Sequence, residues 1–211
     1  MATRVTRWER AAANRAALLA AARTVFLRAG YHGATVDAVA GEAGFTIGAV
    51  YSQFGGKAEL FLALLEQRIE ERIRQIRSLL DGSGPMAELA AVARQWAGVL
   101  RTDLDWTLLV IEFRVHAARD PALAARFAEL HGRLLHAVVQ VITESLGLPA
   151  ATPEVEDLAR MLLAVGPGGA LARAAEGEAF RDELMEETNV ALAQRLLRGL
   201  PTHDDAGGST P

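Results

Sequence analysis

The stretch Thr35-Val36-Asp37-Ala38-Val39-Ala40-Gly41-Glu42-Ala43-Gly44-Phe45-Thr46-Ile47-Gly48-Ala49-Val50-Tyr51-Ser52-Gln53-Phe54-Gly55-Gly56-Lys57 holds two helix starts and two helix stops in quick succession. Thr35 is a cap residue, whose hydroxyl oxygen accepts an amide N–H that the first turn leaves unpaired. Asp37 follows in that turn, where a negative charge suits the positive end of the helix dipole. Val36, Val39, Ala40 and Ala43 share one apolar face, and Gly44 ends the helix. Thr46 repeats the start signal, Val50 and Phe54 lie four apart on one face, and Gly55-Gly56 stops the chain again. Two short helices, of about eight and nine residues, joined by a tight turn make a helix-turn-helix. The small residues Ala40 and Gly48 are expected where the helices cross closely.

Outward from this stretch the periodicity stays helical. Leu18, Ala22, Val25, Phe26 and Ala29 repeat at helical spacing before a stop at Gly30 and a turn at Tyr31-His32-Gly33-Ala34. From Ala58 to about Leu80, Leu60, Phe61, Leu64, Leu65, Ile69, Ile73 and Ile76 form the stripe of a long amphipathic helix, a rod of roughly 35 Å. Asp81-Gly82-Ser83-Gly84-Pro85 is the clearest interruption in the chain. Further helices are expected at 85–101, 104–118, 121–146, 153–175 and 178–198; Asp120-Pro121 and Thr152-Pro153 place a cap residue before a proline. Gly166-Pro167-Gly168-Gly169 is expected to kink or break its helix, since an internal proline costs about 3 kcal/mol. Ala, Leu, Arg and Glu dominate and the apolar spacing is helical, so the fold class is all-α. The expected organisation is a helix-turn-helix segment at 1–57, a larger helical domain at 58–200 and a disordered polar tail at 201–211.

The 211 residues suffice for one large domain or two small ones, and 51% hydrophobic with 23% charged residues is ordinary for a globular protein. The absence of cysteine excludes disulfides, cysteine-bound metals and a thiol nucleophile. No run approaches the ~18 apolar residues of a membrane span, and the first residues lack the apolar core of a signal peptide. The expectation is a cytoplasmic protein with no membrane partner. Its net charge of -4 is unevenly spread. Residues 1–57 carry seven cations (Arg4, Arg7, Arg10, Arg15, Arg23, Arg28, Lys57) against Glu9, Asp37 and Glu42, a balance of +4, which leaves -8 for the rest. A basic head on an acidic body implies that the head alone meets a polyanion, although chance asymmetry in a helical protein would look the same.

Thr35-Val36, Val39-Ala40, Ala43-Gly44-Phe45-Thr46, Gly48, Tyr51, Phe54 and Gly56-Lys57-Ala58-Glu59-Leu60 together resemble, with unbroken spacing over roughly residues 10–65, the DNA-binding domain of the TetR family of regulators. The resemblance implies that Thr35 and Thr46 donate hydrogen bonds to phosphates, and that Tyr51 presses its ring and hydroxyl on the sugar–phosphate backbone. It turns Ile47, Ala49, Ser52 and Gln53 toward base edges in the major groove. There Gln53 can pair with adenine, while Ile47 and Ala49 suit thymine methyls. Arg4 and Arg7 would form an arm reaching phosphate or the minor groove. Lys57, the one lysine beside 21 arginines, sits at a helix N-terminus where its charge opposes the dipole; an arriving phosphate would resolve that conflict. The chain departs from the family pattern in Gly56 for the usual Ser, Phe45 for the usual Val, and an apolar Ile47. These departures leave the operator sequence open.

The body carries no motif of like specificity. By resemblance it is the ligand-binding and dimerisation half. Trp96, Trp106, Phe113, Phe127 and His131, with Arg114 and His116 nearby, suit a pocket for a flat, mainly apolar or aromatic effector. Plain core packing accounts for any one of them at least as well. Leu158, Met161, Leu162 and Val165, followed by Leu184, Leu192 and Leu196, fit an apolar seam between two copies of the chain. No G-x-S-x-G or H-E-x-x-H motif occurs. The five histidines lack ligand spacing, so no metal and no cofactor are expected. The expected partners are a double-stranded DNA operator, a small-molecule effector and a second copy of the chain. An activator, a regulator without a ligand, or an all-helical enzyme or carrier using the aromatic residues remain the alternatives.

Overall fold

A computed structural model of the chain describes residues 6–78 and 104–196. The expected helix at 85–101, residues 79–80 of the long helix, and the tail at 201–211 lie outside these. The described residues form α1 (Arg7–Gly33), α2 (Val36–Ala43), α3 (Ile47–Phe54), α4 (Lys57–Ser78), α5 (Leu104–Ala117), α6 (Pro121–Ser145), α7 (Pro153–Glu176), a 3₁₀ turn (Gly177–Ala179) and α8 (Asp182–Leu196), with no strand among them. The chain is all-α, an N-terminal helix-turn-helix followed by the long α4 and then the C-terminal helices. It divides into two compact units. The described part of the first is 6–70 and 109–130; that of the second is 71–78, 104–108 and 131–196.

In the first unit, α1 starts at a complete capping box. Thr6 Oγ1 accepts the Glu9 N–H at 3.2 Å and the Glu9 carboxylate accepts the Thr6 N–H at 2.6 Å. The Thr6 backbone N–H first, and the Thr6 hydroxyl second, hold the Glu9 carboxyl below its ordinary pKa. Leu18, Leu19, Ala22, Val25 and Phe26 of α1 close a core with Val36, Val39 and Ala40 of α2, Val50 and Phe54 of α3, and Leu60 and Phe61 of α4. Gly30 breaks α1 as the sequence predicts, at φ 70°, and one further turn ends at Gly33. Gly44 supplies the left-handed cap of α2, also at φ 70°.

In the second unit, Ile76 of α4, Val138, Val139, Val141 and Ile142 of α6, Val155, Leu158, Ala159 and Leu162 of α7 and Ala193 of α8 form one buried cluster. Thr152 caps α7 and Pro153 opens it, where a missing N–H costs nothing. Of the kink or break expected at Gly166–Gly169, the break does not occur. α7 runs through Pro167 as one helix to Glu176, so Pro167 forgoes only its own bond to the preceding turn. Gly169 has a separate use, because a Cβ there would stand 2.6 Å from the Met185 thioether of α8. The last helix starts at Asp182 rather than at 178. Gly177 turns the chain at φ 59° into the 3₁₀ turn, and Phe180 is extended.

Candidate DNA interface

The surface is built on α3. Its buried side is Val50 and Phe54, and Arg15 of α1 lays its guanidinium over the Phe54 ring at 4.7 Å. At 100° per residue Ser52 stands opposite that side, with Gly48 beside it. Ile47 and Tyr51 flank them on one edge and Gln53 on the other. Ile47 (43%) and Tyr51 (53%) are large apolar groups left in water, Ser52 and Gln53 are exposed, and Ala49 is half-buried. Gly48 corrects one expectation. It lies on the exposed surface, and a Cβ there would meet only Thr46 Oγ1 at 3.9 Å, so it serves no close helix crossing. Its missing side chain instead leaves the α3 backbone open to whatever approaches. Ala40, by contrast, is buried between helices as expected.

Two hydroxyls stand at the helix starts that bound this surface. Thr35 Oγ1 accepts the Ala38 N–H at 3.1 Å and Thr46 Oγ1 accepts the Ala49 N–H at 3.2 Å. Each hydroxyl uses a lone pair for the cap and keeps its own proton to donate, which is the requirement for a phosphate contact. Arg7 is exposed at the start of α1. Arg4 lies outside the described residues.

Lys57 opens α4, as the sequence predicts, and the structure gives its charge an internal partner. Its ammonium donates to the His32 carbonyl at 3.0 Å and sits 4.8 Å from the centre of the Tyr31 ring. The carbonyl belongs to the end of α1, so the negative end of one helix answers the cation at the positive end of another. Burial lowers the Lys57 pKa.

The expected effector residues fall in both units. Phe113, Arg114, His116 and Phe127 belong to the first unit, while Trp106 and His131 belong to the second; Trp96 lies outside the described residues. Phe113 is fully buried, packed at 4.5 Å from the Phe61 ring and 5.1 Å from the Tyr31 ring. His116 stands 5.0 Å from Tyr31, and Arg114 lies over Phe127 at 5.5 Å. Phe113 and His116 thus pack on the end of α1, Phe113 also on α4, and Phe127 lies 6.1 Å from Phe113, each aromatic pair contributing about 0.5–1.5 kcal/mol beyond its buried area. Trp106 is buried.

Glu112 was not singled out by its sequence. Its carboxylate accepts the Tyr31 N–H at 2.7 Å, the amide that the break at Gly30 frees from the helix ladder. Gly30 is required twice over, by its positive φ and because a Cβ would stand 2.8 Å from that carboxylate. Glu59 at the start of α4 pairs with Arg126 of α6 in the same unit. The chain thus fixes both the end of α1 and the start of α4 with groups from α5 and α6.

The proposed interface seam also divides. Leu158 and Leu162 are buried in the chain's own core, and Leu192 and Leu196 pack partly against it. Val165 is half-buried, whereas Met161 (51%) and Leu184 (49%) are exposed. Among the described residues no three His, Asp or Glu side chains gather as a metal site, and no helix is long and apolar enough to cross a membrane.

Two capped short helices, a left-handed glycine turn between them and a solvent-facing second helix form a helix-turn-helix. Residues 18–64 match the family model of bacterial regulatory proteins, tetR family. That match spans the helix-turn-helix segment, and the curated relatives that the chain resembles are transcriptional regulators. It is 29% identical over 138 residues to the HTH-type transcriptional activator FasR of Mycolicibacterium smegmatis, a match covering 65% of this chain and 62% of that protein. The chain therefore matches less than two thirds of that activator's length. It is also 29% identical over 168 residues to the HTH-type transcriptional repressor Rv1474c of Mycobacterium tuberculosis, covering 79% and 85%. Among solved structures, a transcriptional regulator of Rhodococcus sp. Rha1 superposes at TM-score 0.64 with 27% identity, covering 88% and 96%. The multidrug binding protein EbrR complexed with proflavin (TM-score 0.60, 24% identity, 85% and 99% covered) shares the fold. So does FadR from Bacillus subtilis in complex with stearoyl-CoA (TM-score 0.62, 16% identity, 88% and 99% covered).

Proposed function

We propose that the chain is a cytoplasmic, homodimeric repressor that occupies a near-palindromic operator and leaves it when a small, mainly apolar or aromatic effector binds. The observation that carries the reading is the outward surface of α3. Ile47, Gly48, Tyr51, Ser52 and Gln53 face solvent over a rigid base of Val50 and Phe54, with the Thr35 and Thr46 hydroxyls at its margins. On this reading residues 1–57 bind DNA, 58–200 bind the effector and the second subunit, and 201–211 are a tail. Two copies of α3 enter successive major grooves, about 34–36 Å apart, which requires an operator with two-fold symmetry. Met161 and Leu184 are the members of the proposed seam that remain free for a partner copy. The effector acts by binding two states with different affinity, tilting α4 and changing the spacing of the two heads. The neighbours solved with proflavin and stearoyl-CoA support a largely apolar ligand. Activation is the second reading, favoured by the activator among the relatives.

Selection from a random duplex library tests the proposal. Two inverted half-sites should emerge, and Tyr51→Ala should bind the selected duplex at least ten-fold more weakly while melting like wild type. Failure of any sequence to enrich would overturn it.

A further inference from the structure

Within residues 6–70 the large apolar side chains left exposed are Ile47, Tyr51 and Trp8, and Trp8 is the most exposed, at 85%. Its position in α1 is not arbitrary. Trp8, Arg15, Leu19, Ala22 and Phe26 fall at intervals of seven, four, three and four residues, on one line along the helix. Leu19, Ala22 and Phe26 are core, and Arg15 rests on Phe54 of α3. Trp8 therefore continues the inward-facing stripe of α1 about 10.5 Å beyond Arg15, with no protein core beneath it. The Thr6–Glu9 capping box fixes the first turn, so the indole rides on a formed helix.

The charges around it indicate what covers it. The first ten residues hold Arg4, Arg7 and Arg10 against one acid, Glu9, whose carboxylate is engaged by the Thr6 N–H. An indole among arginines, on the line of α1 that reaches α3, complements a polyanion with apolar faces between its charges. Duplex DNA offers that pattern, as deoxyribose between phosphates. A second copy of the chain would bring the same arginines together and repel.

We propose that Trp8 is a DNA contact, its indole lying against the sugar–phosphate backbone at the outer edge of each half-site. This rests on the reading of α3 as the DNA-facing helix and extends the footprint beyond it. A mixed-sequence duplex at low salt and the selected operator are the probes. Trp8→Ala should bind both about ten-fold more weakly, Trp8→Phe should recover most of the loss, and the melting temperature should stay at the wild-type value. The salt slope of Trp8→Ala should also be that of wild type, because an indole neutralises no phosphate. With Trp96→Phe and Trp106→Phe leaving Trp8 as the only tryptophan, added duplex should quench its emission. Wild-type affinity in Trp8→Ala with no quenching overturns the contact while leaving α3 in place. A fall in oligomer mass in Trp8→Ala overturns it in favour of a subunit contact. A wild-type protein that binds no duplex overturns the reading of α3, and this inference with it.

Discussion

Helices α3 and α7 both leave large apolar side chains in water, Ile47 and Tyr51 on the one and Met161 and Leu171 on the other. α3 is eight residues long and has one buried side, Val50 and Phe54, so every other residue but the half-buried Ala49 is exposed. α7 is 24 residues long, and its apolar residues lie on both buried and exposed sides. Leu158 and Leu162 fill the chain's own core, while Met161, on the same apolar run, faces out. Apolar spacing reports that a side chain is to be covered; it does not report by which molecule. On a short helix with one buried side, that ambiguity nearly vanishes.

The largest expected effect separates those two sides of α7. Leu162→Glu puts a charge into the second unit's core and should cost about 3 kcal/mol or more, seen as a large fall in melting temperature. Met161→Glu should leave the melting temperature nearly unchanged and shift the light-scattering mass from dimer toward monomer at micromolar concentration. A dimer that survives Met161→Glu would place the seam elsewhere. A Leu162→Glu variant that melts like wild type would contradict the packing of α7.

A smaller effect sharpens the account of the first unit. Glu112→Ala strands the Tyr31 N–H at the broken end of α1, which should cost about 1–3 kcal/mol in urea unfolding. Glu112→Gln keeps an acceptor oxygen and should lose less. Equal stability of all three proteins would show that the Glu112 bond to Tyr31 does not hold the end of α1 in place.

Much of this fold was legible because starts and stops are local. Thr35, Thr46 and Thr152 cap where their sequence predicts, and α6 and α7 begin at the predicted 121 and 153. The start of α8 was misplaced because no cap-and-proline pair marks it, and the turn at Gly177 depends on a backbone conformation that its neighbours do not announce. Pro167 does not stop its helix, since one lost hydrogen bond does not outweigh a helix packed against the core and α8. Glu112 was invisible because its partner amide lies 81 residues away. The packing of Phe113 and His116 on Tyr31, and of Phe113 on Phe61, was hidden for the same reason, as nothing local shows that these residues meet.

Lys57 remains the residue on which the two kinds of reading meet. Its place in the sequence points to a phosphate; the structure gives it the His32 carbonyl and the Tyr31 ring, using one of three ammonium hydrogens. The dependence of operator affinity on salt, measured for wild type and Lys57→Ala, decides whether the ammonium also meets DNA. If α3 and the start of α4 lie on the operator as described, the variant binds more weakly. Its log–log salt slope then falls by about 0.9 for every phosphate that each subunit ceases to neutralise. A Lys57→Ala protein with the wild-type slope and affinity, whatever its melting temperature, would contradict the assignment of this face to DNA.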